Sequence, residues 1–162
     1  MTNCSIGRSC KISGEITNTI FLAYSNKQHS GFVGHSYIGE WVNLGALTTT
    51  SNLKNNYSLI RIKLNKSEID TNCLFLGSLI GDHCKFAIGS KLSTGSVFGV
   101  GCNLFESTTL PKIVEPFSWL GDNKKLKYKW DQFVHTTQII MFRRDQKLTE
   151  VQKELLENIY NN

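Results

Sequence analysis

Large apolar residues return at every sixth place along two long runs of the chain. From Phe32 the blocks read FVGHSY, IGEWVN, LGALTT and TSNLKN, opened by Phe32, Ile38 and Leu44. From Ile80 they read IGDHCK, FAIGSK, LSTGSV and FGVGCN, opened by Ile80, Phe86, Leu92 and Phe98 and closed by Leu104. A shorter run opens at Ile6 and Ile12. The fifth place of these blocks holds a smaller residue: Ser36, Val42, Thr48, Cys84, Ser90, Ser96 and Cys102. Sandwich strands would alternate every second residue, and amphipathic helices would return at three and four. Neither template places apolar residues six apart through nine openings. Each block therefore reads as one short strand and a turn, and three blocks close a triangular coil with the large side chains at its centre. Glycine after the opener, as at Gly39 and Gly45, is expected to give the turn its backbone freedom. The predicted class is all-β, a parallel β-solenoid with a short α-helical C-terminal tail.

Two stretches break the rhythm, and such excursions are where a solenoid places its function. The first, residues 22–31 (LAYSNKQHSG), shifts the phase by two. The second, residues 55–79, contains the alternating stretch Leu59 to Leu64, which reads as a strand or hairpin arm, while Ile62 and Leu74 keep the coil phase. The solenoid is assigned to residues 1–110. Residues 111–162 are assigned to a cap with two helices, because Pro116 and Trp119 suggest a chain folding back over the last coil. Trp130, Phe133, Val134, Thr137, Ile140 and Met141 share one helical face. A capping box from Thr149 to Gln152 starts a second stripe of Val151, Leu155, Leu156 and Ile159. The cluster GDNKKLKYKW reads as a solvated turn, whose lysines at a rim could meet phosphates.

Composition changes this picture little. The 162 residues and 40% hydrophobic content fit one globular unit, and a net charge of +5 mildly favours anionic partners. The basic residues do not alternate with aromatics along one stripe, which speaks against a nucleic-acid binder. Cys4, Cys10, Cys84 and Cys102 fall on the small fifth position and read as packing thiols, with only Cys73 outside the scheme. Their odd number and spacing point to reduced thiols in a cytoplasmic protein. The sequence MTNCSIGRSC has no charged region followed by an apolar one, and no apolar stretch approaches a membrane span. The repeat starts within a few residues of Met1, which suggests a longer ancestor or an upstream domain.

From Asn26 the chain reads NKQHSGFVGHSYIGEWVNLGALT. This stretch resembles the acetyltransferase half of the bifunctional enzymes that make UDP-N-acetylglucosamine from glucosamine 1-phosphate. The match runs without gaps through His29, Phe32, Val33, Gly34, Ile38, Gly39, Asn43, Leu44, Gly45 and Ala46. The chain is similar also to a branch of sugar-nucleotidyltransferase-like proteins through Gly39 to Tyr57, the GDHCK turn at Gly81 to Lys85, and Pro116 to Trp119. The resemblance implies a left-handed parallel β-helix built of hexapeptide repeats, a homotrimer with its site between subunits, and acetyl-CoA or another acyl-CoA as co-substrate. It implies transfer of the acyl group to the amine of an aminosugar phosphate or nucleotide-sugar, with no metal, nucleic acid or membrane partner. An upstream nucleotidyltransferase domain or partner also belongs to that pattern, although no G-x-G-x-x-G turn or P-loop occurs in this chain.

Carried over by position, the resemblance makes His29 the general base and points the Ala46 N–H at the thioester carbonyl. Phe32, Asn43, Asn52 and Tyr57 fall on the acceptor side. The residue types suit the chemistry: an ammonium must lose a proton before it attacks, which histidine can accept near neutrality, and a backbone N–H stabilises the oxyanion. Three positions depart from the pattern, with Leu47 in place of glycine and Phe32 and Leu53 in place of tyrosines. These departures keep open a second reading, a non-catalytic trimerising or regulatory module. A zinc enzyme of the γ-carbonic-anhydrase kind ranks lower, because His29, His35, His83 and His135 do not reproduce that family's close pair.

Overall fold

The computed structural model describes residues 1–65, 67–121 and 124–162. Strands of two to four residues stack into a three-sided prism. On the first side Ser5–Ile6, Ile20–Phe21, Tyr37–Ile38, Leu79–Ile80, Val97–Phe98 and Ile113–Val114 pair in parallel, in that order. On the second side Lys11–Ile12, Asn26–Lys27, Asn43–Leu44, Lys85–Phe86, Asn103–Leu104 and Ser118–Gly121 follow one another, edged by the antiparallel strand Lys124–Lys127. The third side is shorter: Glu15–Thr17 lies on Phe32–Gly34, and Thr49–Thr50 lies on Lys91–Leu92.

The register superposes each inward side chain on the next. Ile6, Phe21, Ile38, Ile80, Phe98 and Val114 form one inward column, and Ile12, Lys27, Leu44, Phe86, Leu104 and Leu120 form another. Ile16 and Val33 share a column on the third side. Burying one such aliphatic or aromatic side chain stabilises the fold by about 1.5–3 kcal/mol. These columns are the core, with Phe86 and Phe98 in edge-to-face contact at 5.1 Å.

The corners follow a second rule. The third residue beyond the inward side chain takes left-handed backbone: Tyr24, Trp41, Leu47 and His83 have φ of 61°, 58°, 63° and 60°, and Gly89, Gly95 and Gly101 occupy equivalent places. The glycines after the openers serve otherwise than expected. Gly39 is not left-handed, and a Cβ there would stand 2.8 Å from the Asp82 nitrogen, so its role is to let the next coil approach. The small fifth-place residues are buried at the corners, where Cys84 Sγ donates to the Gly99 carbonyl at 2.9 Å and Ser90 Oγ to the Ala87 carbonyl at 2.8 Å.

Four expectations change. The inward residue of the block at Phe32 is Val33, fully buried, whereas Phe32 points outward and is half-buried. Two adjacent apolar residues made the wrong one fit the period. Residues 22–31 are no excursion, because Asn26–Lys27 is a regular strand of the second side, hidden from the apolar pattern by a lysine at its inward position. Parallel stacking also continues past residue 110, through Ile113–Val114 and Ser118–Gly121, before the antiparallel return of Lys124–Lys127. Residues 122 and 123 of the GDNKKLKYKW cluster lie outside the described residues. Within the stretch 55–79 the chain leaves the prism as an antiparallel hairpin of Arg61–Leu64 and Ser67–Asp70 and is back on the first side at Leu79–Ile80. Ile62 belongs to that hairpin and not to a coil, and Ile60 and Ile62 close on Gly95 at a corner.

Helix α1, Trp130–Phe142, buries Phe133, Thr137 and Met141. It starts against Phe117 and ends where Arg144 donates to the Ser9 carbonyl at 3.1 Å and to Asn26 Oδ1 at 2.9 Å. Helix α2, Glu150–Asn161, carries the capping box at Thr149 and buries Leu156, while Val151 and Leu155 are exposed. Among the described residues no helix is long and apolar enough to cross a membrane. Phe98→Ala would empty the centre of the prism, where Phe98 is 2% exposed, and is expected to cost about 3–5 kcal/mol in urea unfolding.

Candidate functional site

The site residues named from sequence divide between two edges of the prism. Between the second and third sides stand His29 and, one coil further on, Ala46 and Leu47. Their backbones touch: the Leu47 N–H donates to the Ser30 carbonyl at 2.8 Å, and a Cβ on Gly31 would run into the Thr48 carbonyl oxygen. Gly31 has φ of 125°, so a side chain there would be strained as well as crowded. His29 is exposed, and among the described residues its ring has no hydrogen-bond partner. Ala46 is half-buried; its carbonyl accepts from the Gly89 N–H at 2.7 Å, while its own N–H meets no acceptor among the described residues. Asn43 lies exposed on the second side, in register with Asn26, just before this edge.

Asn52 belongs to the other edge, between the third and first sides, while Phe32 opens the third-side strand three residues after His29. The Asn52 amide lies 2.9 Å from His35 Nδ1, and the Asn18 amide lies 3.2 Å from His35 Nε2. Phe75 stacks on the same imidazole at 5.2 Å. Phe32 and Asn52 both crowd over Gly34, where a Cβ would meet the ring and stand 2.8 Å from Asn52 Nδ2. Tyr57, with φ of 55° and 70% exposed, sits on the excursion before the hairpin. A concavity of about 510 Å³ opens beside Asn52, lined by residues including Ser51, Leu53, Lys54, Ser93 and Thr94. Within one chain Asn52 therefore meets the His35 corner and not His29, and Phe32 stands on the third side between those two corners.

His35 is the residue the sequence did not single out. It and His83 share the fourth place of a block, which the structure shows to be the left-handed corner where side chains stack from coil to coil. Tyr24 stacks on Trp41 at 4.2 Å, Trp41 on His83 at 6.5 Å, and Phe133 of α1 meets His83 edge-on at 5.9 Å. The fourth place of each block was the available signal.

The four histidines differ in what they can do. A neutral imidazole offers one donor and one acceptor, so His35, flanked on both nitrogens, has one amide turning its oxygen to the ring and holds no free base. His83 is pushed down to about 3 by burial, and secondarily by the Lys85 ammonium, and stays neutral. His135 is exposed on α1, away from either edge. His29 alone combines an accessible ring with a place on the solenoid wall. Burial pushes the Cys84 thiol well up, as suits a packing thiol, and Cys73 is exposed. Leu47 holds left-handed backbone that a glycine would adopt freely, and its side chain is 62% exposed beside Ala46.

The fold and its corner site define a hexapeptide-repeat β-solenoid. No family model matches the chain. It is similar at low identity to the bifunctional protein GlmU of Methanococcus aeolicus, 29% identical over 108 residues, which is 63% of this chain and 25% of that protein. Bifunctional protein GlmU of Methanocaldococcus jannaschii is 25% identical over 129 residues, 80% of this chain and 30% of that one. The bifunctional sugar-1-phosphate nucleotidylyltransferase/acetyltransferase of Sulfurisphaera tokodaii is 26% identical over 102 residues, 63% of this chain and 25% of its own. The chain thus spans between a quarter and a third of the length of these curated relatives. Among solved structures, the N-acyltransferase AntD of Bacillus cereus, in complex with dTDP and coenzyme A, aligns with a TM-score of 0.43 at 12% identity, over 90% of this chain and 89% of that one.

The depressed His83 carries a pH signature. Between pH 6.5 and about 3 the unfolded state binds a proton at this residue that the folded state refuses, so acid removes stability at about 1.4 kcal/mol per pH unit in that window. His83→Phe, which keeps an aromatic in the stack, is expected to flatten the acid side of the stability profile relative to wild type. Urea titrations from pH 7 to pH 4 check this.

Proposed function

We propose that this chain is an acyl-CoA-dependent acyltransferase that acetylates the amino group of an aminosugar phosphate or nucleotide-sugar. The observation that carries it is the pairing, on adjacent coils, of an accessible unpartnered histidine with an unoccupied backbone N–H at Ala46. His29 takes the proton released by the attacking amine, and the Ala46 N–H faces the thioester oxygen as it gains charge. Acetyl-CoA supplies the acyl group as co-substrate; no metal enters this scheme. The Sulfurisphaera tokodaii relative is a bifunctional sugar-1-phosphate nucleotidylyltransferase/acetyltransferase by name, which supports this reading. An upstream nucleotidyltransferase domain or partner would fit the same relatives.

A homotrimer fits the outer surface. Ile20, Tyr37, Leu79, Val97 and Ile113 stand in register on the outside of the first side, and Ile20 and Tyr37 are 47% and 41% exposed. Such a ladder matches the apolar face that a neighbouring copy would cover. Assembly could also set the Asn52 edge of one subunit against the His29 edge of the next, with Phe32, Asn43 and Tyr57 near the acceptor. The five free cysteines fit a reducing, cytoplasmic setting.

Leu47 favours a second reading, a solenoid that kept its coil and lost turnover, because its side chain stands where the thioester would pass. The readings separate in an assay of CoA release against a panel of aminosugar phosphates. His29→Ala is expected to lower kcat by about 10²–10⁴, and wild-type protein with no turnover on any acceptor would favour the second reading. Leu47→Gly is expected to lower KM for acetyl-CoA several-fold. In sedimentation equilibrium the wild type should run as a trimer and Val97→Asp as a monomer.

A further inference from the structure

The inward column of the second side contains one charged residue. Lys27 stands in register with Ile12 and next to Leu44, and it is 0% exposed. No carboxylate neutralises it: the ion pair found among the described residues is Arg61 with Asp70, out on the hairpin. Lys27 Nζ donates instead to the His29 carbonyl and, at 2.9 Å, to the Ser30 carbonyl. The Ser30 carbonyl also accepts the Leu47 N–H at 2.8 Å. Amine, His29 corner and Ala46–Leu47 corner are therefore one hydrogen-bonded chain across two coils. Gly14, with φ of 90°, forms its floor: a Cβ there would stand 3.1 Å from the His29 carbonyl oxygen and 3.2 Å from Lys27 Nζ.

As core filling, lysine is a poor occupant. Leucine or methionine would complete the column without stripping water from an amine, and burial alone pushes the Lys27 amine below its ordinary range. The nearest inward neighbours are hydrocarbon, so among the described residues the groups that satisfy the amine are the carbonyls of the corner bearing His29. A feature that costs stability and is satisfied at one place marks where geometry matters.

We infer that Lys27 is a positioning residue, whose buried amine fixes the backbone at His29 and Ser30 and so sets the imidazole against the Ala46 N–H of the next coil. This rests on the role proposed for His29. Small displacements of a catalytic group cost roughly 10²-fold in rate, so a fixed corner has a direct kinetic consequence.

The test uses the full chain with Lys27→Met, and Lys27→Leu as the second apolar variant. Thermal midpoint, hydrogen exchange of the Leu47 amide, and kcat and KM for acetyl-CoA are measured. The expected result is a midpoint equal to or above wild type, with Leu47 exchange at least about tenfold faster and kcat about 10- to 100-fold lower at a KM within about twofold. Unchanged exchange, or a midpoint that falls in both variants, would overturn the inference, the latter because the amine would then be ordinary core support. A His29→Ala protein with full turnover would sink the catalytic role of His29 while leaving the exchange result to judge the clamp. An inactive His29→Ala beside a fully active Lys27→Met with wild-type exchange would sink the clamp alone.

Discussion

The structure depends on each inward side chain standing directly on the one below it. Strands of two residues contribute too few ladder hydrogen bonds to hold a coil by themselves. What unites the coils is the burial of stacked columns such as Ile38, Ile80 and Phe98, each at most 2% exposed. Stacking at strand spacing then decides what may follow each opener. Glycine at position 39 lets the next coil's backbone come close, and the small residue at the fifth place, as at Cys84, closes the corner by bonding its own side chain to a carbonyl.

Columns form at the corners too, and there the chemistry is freer. Two or three residues past many of the inward side chains the backbone turns left-handed, at a cost of about 1–2 kcal/mol for a side chain other than glycine, asparagine or aspartate. Trp41 and His83 accept that cost and recover part of it by stacking on each other and against Phe133. The same corner geometry one edge away exposes Leu47 and leaves the Ala46 N–H open. A rigid scaffold thus presents short irregular turns at its edges, and the candidate catalytic groups are on those turns.

The tail answers to the solenoid's dimensions. The 13 residues of α1 span about 20 Å, close to four strand spacings of roughly 4.8 Å. That length carries the helix from Phe117, near the last coil, down to Asn26 and Ser9 near the first. Along the way it covers Lys85, whose amine sits over the Phe133 ring at 5.9 Å. The helix is a strap along one edge, which leaves the edge of His29 uncovered by it.

The period of six determined the prism, because three strands per coil must repeat their inward residue at that interval; Ile38, Leu44, Ile80, Phe86 and Phe98 declared it. The buried fifth place and the helical stripe of Phe133, Thr137 and Met141 were equally legible, since each depends on spacing along the chain. Periodicity could not see Lys27, because an apolar template rejects a lysine even where the coil around it is regular, and it took Phe32 for Val33 because both are apolar. It also could not see that Asn52 meets His35 and not His29. That contact is set by which corner each residue reaches once coils of 15 and 17 residues, from Ile6 to Phe21 and from Phe21 to Ile38, have accumulated their offsets. Spacing along the chain fixed the solenoid, and only the stacked corners decided which side chains became neighbours.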